Sequence, residues 1–92
     1  MFGNNTTHSI GIIYTNHALQ RIAQRSISRE AVELTRRYGT ETIDDGARKV
    51  IIDLDACSIA EEDGLNLFPF FSTTIVVSMD NVLKTAYMKD IR

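Results

Sequence analysis

The sequence predicts an α+β domain in which an N-terminal helical hairpin packs on one face of an antiparallel sheet of about four strands. Three observations carry this. Residues 16–38 place apolar side chains at helical spacing, whereas residues 40–54 and 73–89 read as strands. Asp45-Gly46 and Met79-Asp80-Asn81 interrupt the two strand stretches as hairpin turns do. A chain of 92 residues with 43% apolar content and one Pro suits a single domain with one modest core.

In chain order, residues 1–8 read as a flexible tail ahead of a domain spanning 9–92. Ile10-Gly11-Ile12-Ile13-Tyr14 is a short apolar run, expected as an edge strand or an extended lead-in. Thr15 is suited to cap a first helix over Asn16–Arg25. At about 100° per residue, Ala18, Leu19, Ile22 and Ala23 gather on one side of it, and His17, Arg21 and Arg25 on another, with Gln20 and Gln24 beside them. Ser26-Ile27-Ser28 breaks the helix, and Ser28 caps a second one over Arg29–Tyr38 with Ala31, Leu34, Thr35 and Tyr38 inward. Gly39 is expected to end it in the left-handed conformation. Strands follow at Thr40–Asp44, Ala47–Leu54, Thr73–Ser78 and Val82–Lys89. Between the hairpins, Asp55–Ser72 carries Glu61-Glu62-Asp63-Gly64 and then the apolar Leu65–Phe71 segment. It is too long for a structureless loop. A helical turn is expected there, then an apolar stretch that closes the core or meets a partner.

The net charge of −2 argues against a general nucleic-acid binder, but its distribution is uneven. No acid precedes Glu30, and Arg21, Arg25 and Arg29 stand alone in that segment, whereas residues 30–92 carry seven Lys or Arg against twelve acids. Cys57 is the sole cysteine, which excludes an internal disulfide and fits a reducing compartment. With no bilayer-length apolar run and no signal-peptide pattern, a cytoplasmic protein without membrane contact is expected. No cofactor is indicated: Gly-rich phosphate loops and G-x-S-x-G elbows are absent, and His8, His17 and Cys57 give no zinc spacing. Asp53 and Asp55, two apart on a strand, are a minor candidate for Mg²⁺. A solvated strand end, with Asp55 capping the next turn, is the simpler reading, so no metal is assigned. Cys57 follows that acidic stretch, which raises a thiol pKa and disfavours a nucleophile.

Two sets of residues remain as candidate chemistry. The stripe of His17, Arg21 and Arg25 places successive residues on neighbouring turns of one face. An imidazole titrates near neutral pH and can move a proton, and guanidinium groups can hold a phosphate and stabilise charge developing on it. The same stripe also fits a plainly solvated face. The first helix, however, has no carboxylate to pair with its arginines, whereas Glu33 is within reach of Arg29, Arg36 and Arg37 on the second. On the last strand, alternation puts Leu83, Thr85, Tyr87 and Lys89 on one face and Val82, Lys84, Ala86 and Met88 on the other. Thr85, Tyr87 and Lys89 can complete a phosphate site with Tyr87 stacking on a base, or simply reflect strand propensity.

The run His17-Ala18-Leu19-Gln20-Arg21-Ile22-Ala23-Gln24-Arg25-Ser26-Ile27-Ser28 resembles the opening of an uncharacterised small-domain family with the pattern H-A-x-x-R-x-x-x-R-x-I. That family closes on a hydrophobic hairpin with a T-x-Y-like motif, matched by Thr85-Ala86-Tyr87, and resembles a branch of the RelE/ParE toxin superfamily. The resemblance covers most of residues 13–89. It implies two N-terminal helices on an antiparallel sheet and a metal-independent ribonuclease acting through 2′-OH attack, as the toxin of a toxin–antitoxin or similar conflict system. It also implies RNA as partner, with the ribosome as one setting, and a cognate antitoxin or other protein. His17, Arg21 and Tyr87 are then the catalytic candidates, and Arg25, Thr85 and Lys89 the RNA-binding ones. The chain departs from the pattern at Ile22, where Met is usual, at Ser26, where Gly is usual, and in a longer, more apolar Cys57–Phe71 insertion. Its net negative charge also differs from a strongly basic ribosome-dependent toxin. The alternative is a non-catalytic interaction module on the same fold, binding a partner through Leu65–Phe71.

Overall fold

The structure, a computed structural model, describes residues 11–89; the expected tail at 1–8 lies outside the described residues. Its elements are α1 (Asn16–Gln24), α2 (Arg29–Tyr38), β1 (Thr40–Asp44), β2 (Ala47–Ile51), α3 (Leu54–Glu62), a 3₁₀ turn (Phe68–Phe70), β3 (Thr73–Ser78) and β4 (Leu83–Met88). The fold is α+β. The four strands form one antiparallel meander in the order β1-β2-β3-β4, so β1 and β4 are its edges.

Both expected helix starts are formed as the chemistry requires. The Thr15 hydroxyl accepts from the Ala18 N–H at 3.0 Å, and the Ser28 hydroxyl from the Ala31 N–H at 3.0 Å. The link between the helices turns at Ser26, which has φ +57°, the region that favours glycine. Gly39 does not end α2 in that region. It is extended (φ −66°, ψ 157°), and its missing side chain matters for space. A Cβ there would lie 2.5 Å from both the Thr35 carbonyl oxygen and the Val50 Cγ1.

The lead-in at 12–14 is extended and meets the sheet by an isolated parallel bridge between Ile13 and Val82. The Ile13 N–H donates to the Asn81 carbonyl at 2.7 Å, and the Leu83 N–H donates to the Ile13 carbonyl at 3.0 Å. Arg48 braces that turn by donating to the Ser78 carbonyl and to the Asn81 side chain. The second strand stops at Ile51, earlier than its sequence suggests, because Asp53 caps a helix. Its Oδ1 accepts from the Ala56 N–H at 2.9 Å and from the Thr40 hydroxyl at 2.9 Å. Asp53 and Asp55 therefore do not share a strand face; Asp55 lies in the first turn of α3. Where a helical turn was expected, a nine-residue helix forms.

The core divides into two buried clusters. One joins Ala18, Ile22, Ile27, Ala31 and Val32 of the helical hairpin to Val50, Ile75, Val77, Leu83 and Ala86 of the sheet. The other joins Tyr38 and Ile52 to Ala56, Cys57 and Ala60 of α3 and to Leu67. Phe70 packs against both. Side chains such as Val32, Ile52 and Ile75, with no exposed surface, each contribute roughly 1.5–3 kcal/mol by leaving water. Because Val50, Ile75 and Val77 point at the helices, Lys49, Ile51, Thr74 and Val76 point the other way. That face is the more open one, its Lys49, Ile51 and Val76 half-buried, although Thr74 on it has no exposed surface. No helix among the described residues is long and apolar enough to cross a membrane.

Candidate nucleic-acid interface

Helix α1 lies along β4, and their contact is made by Ala18 and Ile22 against Leu83 and Ala86. The lead-in bonds to the start of β4 at Ile13, and Arg25, just past α1, bonds to β4 at Thr85 and Ala86. The helix thus runs in the same direction as the strand, at its outer edge. On the helical wheel the stripe of His17, Arg21 and Arg25 borders the buried face of α1. The Arg25 contact fixes that border as the one facing the edge of β4.

Arg25 joins the two halves of the candidate site. Its Nη1 donates to the Ala86 carbonyl at 2.8 Å and to the Thr85 hydroxyl at 3.2 Å. The first bond satisfies an edge-strand carbonyl that has no strand partner. The second carries the guanidinium around the edge, because Thr85 and Ala86 point to opposite faces of the sheet. Arg21 is half-buried between Arg25 and the exposed His17. Successive members of the stripe are separated by roughly 6 Å of helix rise, so the three form a track and not a cup around one point.

The face assignment of the last strand needs correction. A bulge interrupts the β3–β4 ladder: Val76 faces Thr85 and Val77 faces Leu83, which leaves Lys84 as the extra residue. Leu83 therefore turns into the core with Ala86, while Thr85 and Tyr87 point to the open face of the sheet. Strict alternation had grouped Leu83 with Thr85 and Tyr87 and had set Ala86 apart from Leu83. Thr85 and Tyr87 remain together, half-buried, and Lys89 follows exposed, its N–H donating to the Ser72 carbonyl at 2.9 Å. Tyr87 and His17 make no side-chain hydrogen bond with the described residues.

Two cations join the set that sequence reasoning did not single out. Lys84 is exposed at the bulge, beside Thr85. Lys49 is opposite Val76, which is opposite Thr85, so it lies two strands away on the same open face, roughly 10 Å distant. The Lys49 placement follows from the register that Asp45-Gly46 sets and was legible in principle; nothing in the sequence marks the bulge.

The neighbouring helix is neutralised only in part: of Arg29, Arg36 and Arg37, Arg36 alone pairs with Glu33 among the described residues. Glu33 accepts a 2.6 Å hydrogen bond from the Tyr14 hydroxyl and pairs with Arg36 at 3.3 Å. Arg29 sits over the Tyr14 ring, 4.3 Å from its centre. Burial, then the hydrogen bond and charge of Glu33, push the Tyr14 phenol up to about 12. Cys57 is buried in the other cluster; burial and the Asp53 carboxylate push its thiol up, which suits a packing role.

The Leu65–Phe71 segment does not act as one surface. Leu67 is 1% exposed and anchors the second cluster, and Phe70 and Phe71 pack against it. Leu65 (39% exposed) and Phe68 (61%) turn outward instead.

No protein-family model matches the chain, and no curated protein or solved structure matches it either.

Proposed function

We propose that the α1–β4 edge and the adjoining open sheet face bind single-stranded RNA, and that the chain is a metal-independent ribonuclease of the RelE/ParE kind, a toxin of a toxin–antitoxin or similar conflict system. The observation that carries the reading is the bonding of Arg25 to Thr85 and Ala86, which unites the helix stripe with the last strand. The cations Arg21, Arg25, Lys84, Lys49 and Lys89 fringe this side, and Tyr87 offers a ring on which a base can stack.

In this reading Arg25 is the fixed end of the track, and Arg21 meets the scissile phosphate. The RNA 2′-oxygen bonds to phosphorus and the P–O5′ bond breaks, leaving a 2′,3′-cyclic phosphate and a 5′-hydroxyl. His17 takes the 2′-OH proton or supplies the proton to the departing oxygen, with water serving the other end. Tyr87 stacks, Thr85 holds Arg25, and Lys89 meets a flanking phosphate. The test is incubation of the whole chain with a single-stranded RNA oligomer in excess chelator. Cleavage is expected, and substitution of the RNA by DNA abolishes it. His17→Ala lowers the rate by roughly 10²-fold or more, and Arg21→Ala weakens both binding and rate. Unchanged cleavage and growth inhibition in both variants would remove the assignment.

The exposure of Leu65 and Phe68 favours a second reading, a non-catalytic interaction module on the same fold. The inward turn of Leu67, Phe70 and Phe71 narrows the available surface to the rim of α3.

A further inference from the structure

The insertion leaves a cavity of about 690 Å³ between α3 and the chain that returns from it, lined by Leu54, Cys57, Glu61, Leu65, Asn66 and Phe68 among others. It is an open groove of mixed lining, in which Leu54, Leu65 and Phe68 alternate with Ser58, Glu61 and Asn66. Leu54 is 63% exposed beside the outward Leu65 and Phe68. Three large apolar side chains around one concavity are more than the scattered apolar residues of an ordinary surface.

The charge on α3 and its flanking residues has one sign. Between Lys49 and Lys84 the sequence contains no Lys or Arg, and α3 with its flanking residues carries Asp53, Asp55, Glu61, Glu62 and Asp63. Glu61 lines the groove itself. Among the described residues the one ion pair within 4.0 Å is Glu33 with Arg36, so none of the α3 carboxylates pairs with a described residue. Their position on the helix is a second, independent feature. Glu61, Glu62 and Asp63 crowd the C-terminal end of α3, which has no basic residue in its last turn. That end already carries the negative pole of the helix dipole, so the acids sit where a helix disfavours them and favours cations. Asp63 gains one hydrogen bond, from the Tyr38 hydroxyl at 2.8 Å, and no ion pair within 4.0 Å among the described residues.

We infer that this groove is a docking site for a cationic amphipathic segment of a partner protein. Its apolar residues fill the space between Leu54, Leu65 and Phe68, and its Lys or Arg side chains meet Glu61, Glu62 and the C-terminal end of α3. The opposed charges of the two ends of the molecule keep the sites apart, since a polyanion is attracted to the α1–β4 edge and repelled here. The inference does not depend on whether that edge cleaves RNA. It gives the interaction reading a specific surface and a partner chemistry.

The test titrates the whole chain with a labelled amphipathic peptide of Leu and Lys at helical spacing, followed by fluorescence anisotropy. Its controls are a scrambled peptide of equal composition and a Leu/Glu analogue. Binding of the Leu/Lys peptide alone is expected. Phe68→Ser and Glu61→Lys, both at exposed positions, should each weaken it by roughly tenfold or more, with unchanged circular dichroism. Amide shifts on titration should fall on 54–68 and spare α1. Four results would overturn the inference: equal binding of the scrambled peptide, a loss with Glu61→Lys but none with Phe68→Ser, preference for the Leu/Glu peptide, or self-association of the chain through Phe68. Preference for the Leu/Glu peptide would leave the interaction reading standing with another partner chemistry. RNA cleavage is measured on the same variants and should not move, which separates a failure here from a failure of the ribonuclease reading.

Discussion

Each end of this molecule is pinned by a tyrosine bonded to a carboxylate, and the two pins differ in what they hold. At the basic end, Tyr14 on the lead-in donates to Glu33 on α2, with Arg29 over its ring. At the acidic end, Tyr38 on α2 donates to Asp63 after α3, with Arg37 5.6 Å from its ring centre. Both bonds start or end on α2, so that helix is the shared frame. The basic end is held to the sheet by Ala18 and Ile22 packed on Leu83 and Ala86, and also by polar groups reaching an open strand edge, at Ile13 and Arg25. The acidic end is held by a plug of apolar side chains around Leu67. Charge has thus been sorted by element: a net charge of −2 is the sum of an acid-free first helix and a base-free third helix. A fold this small can keep two surfaces of opposite sign because α2 and the sheet stand between them.

The plug gives the largest expected effect. Leu67→Ala removes the most buried side chain of the returning segment and should cost roughly 2–4 kcal/mol in denaturant unfolding. Hydrogen exchange should rise first in α3, and the α1–β4 edge should stay protected until global unfolding. Equal loss of protection at both ends would mean that the two clusters form one cooperative unit.

How far these ends were legible in the sequence follows the same division. The helical hairpin depends on local chemistry, and its caps Thr15 and Ser28, its apolar stripe and the Asp45-Gly46 turn were all readable. Three features were not. The third helix begins at Asp53-Leu54, where the β2 pattern of apolar residues runs on through Ile51-Ile52 and masks the cap. The bulge at Lys84 has no residue signature, yet it reverses which neighbours Thr85 keeps. The Tyr14–Glu33 bond joins residues 19 apart, and only the packing of the lead-in on β4 brings them together. For the candidate site, residue identity was visible in the stripe, whereas the face on which Thr85 and Tyr87 lie required the structure.

The tyrosine pins predict a smaller, paired effect. Tyr14→Phe should cost roughly 0.5–1.5 kcal/mol, the usual net worth of a hydrogen bond, and Tyr38→Phe should lower the unfolding midpoint as well. Tyr14→Phe should loosen residues 12–14 and α1, and Tyr38→Phe should loosen α3. The pins also impose a pH dependence whose sign is fixed. The Tyr14 phenol rises from 10.0 to about 12 on folding, through burial and then Glu33. The Tyr38 phenol is raised by its bond to Asp63 and by burial. Below pH 10 both states hold the proton, and this contribution to stability is complete. Above it the unfolded chain releases the proton first, so stability falls as pH rises towards about 12. Unfolding midpoints measured from neutral to alkaline pH should show this decline, and each Phe variant should flatten part of it.

The smallest effect compares how the helices at the two ends stop. After α1 the left-handed position is Ser26 at φ +57°, and after α3 it is Gly64 at φ +79°. A residue with a Cβ costs about 1–2 kcal/mol in that conformation, while glycine adds roughly 0.5–1 kcal/mol of freedom to the unfolded chain. Ser26→Gly should therefore stabilise the fold by a few tenths to about 1 kcal/mol. Gly64→Ala should destabilise it by a similar amount, and for backbone reasons alone, because a Cβ at Gly64 meets nothing within 4 Å. Opposite signs in the two variants, read from unfolding midpoints, are the expected result. The same sign in both would mean that Ser26 makes a contact worth more than its strain, and that the basic edge is built around that turn.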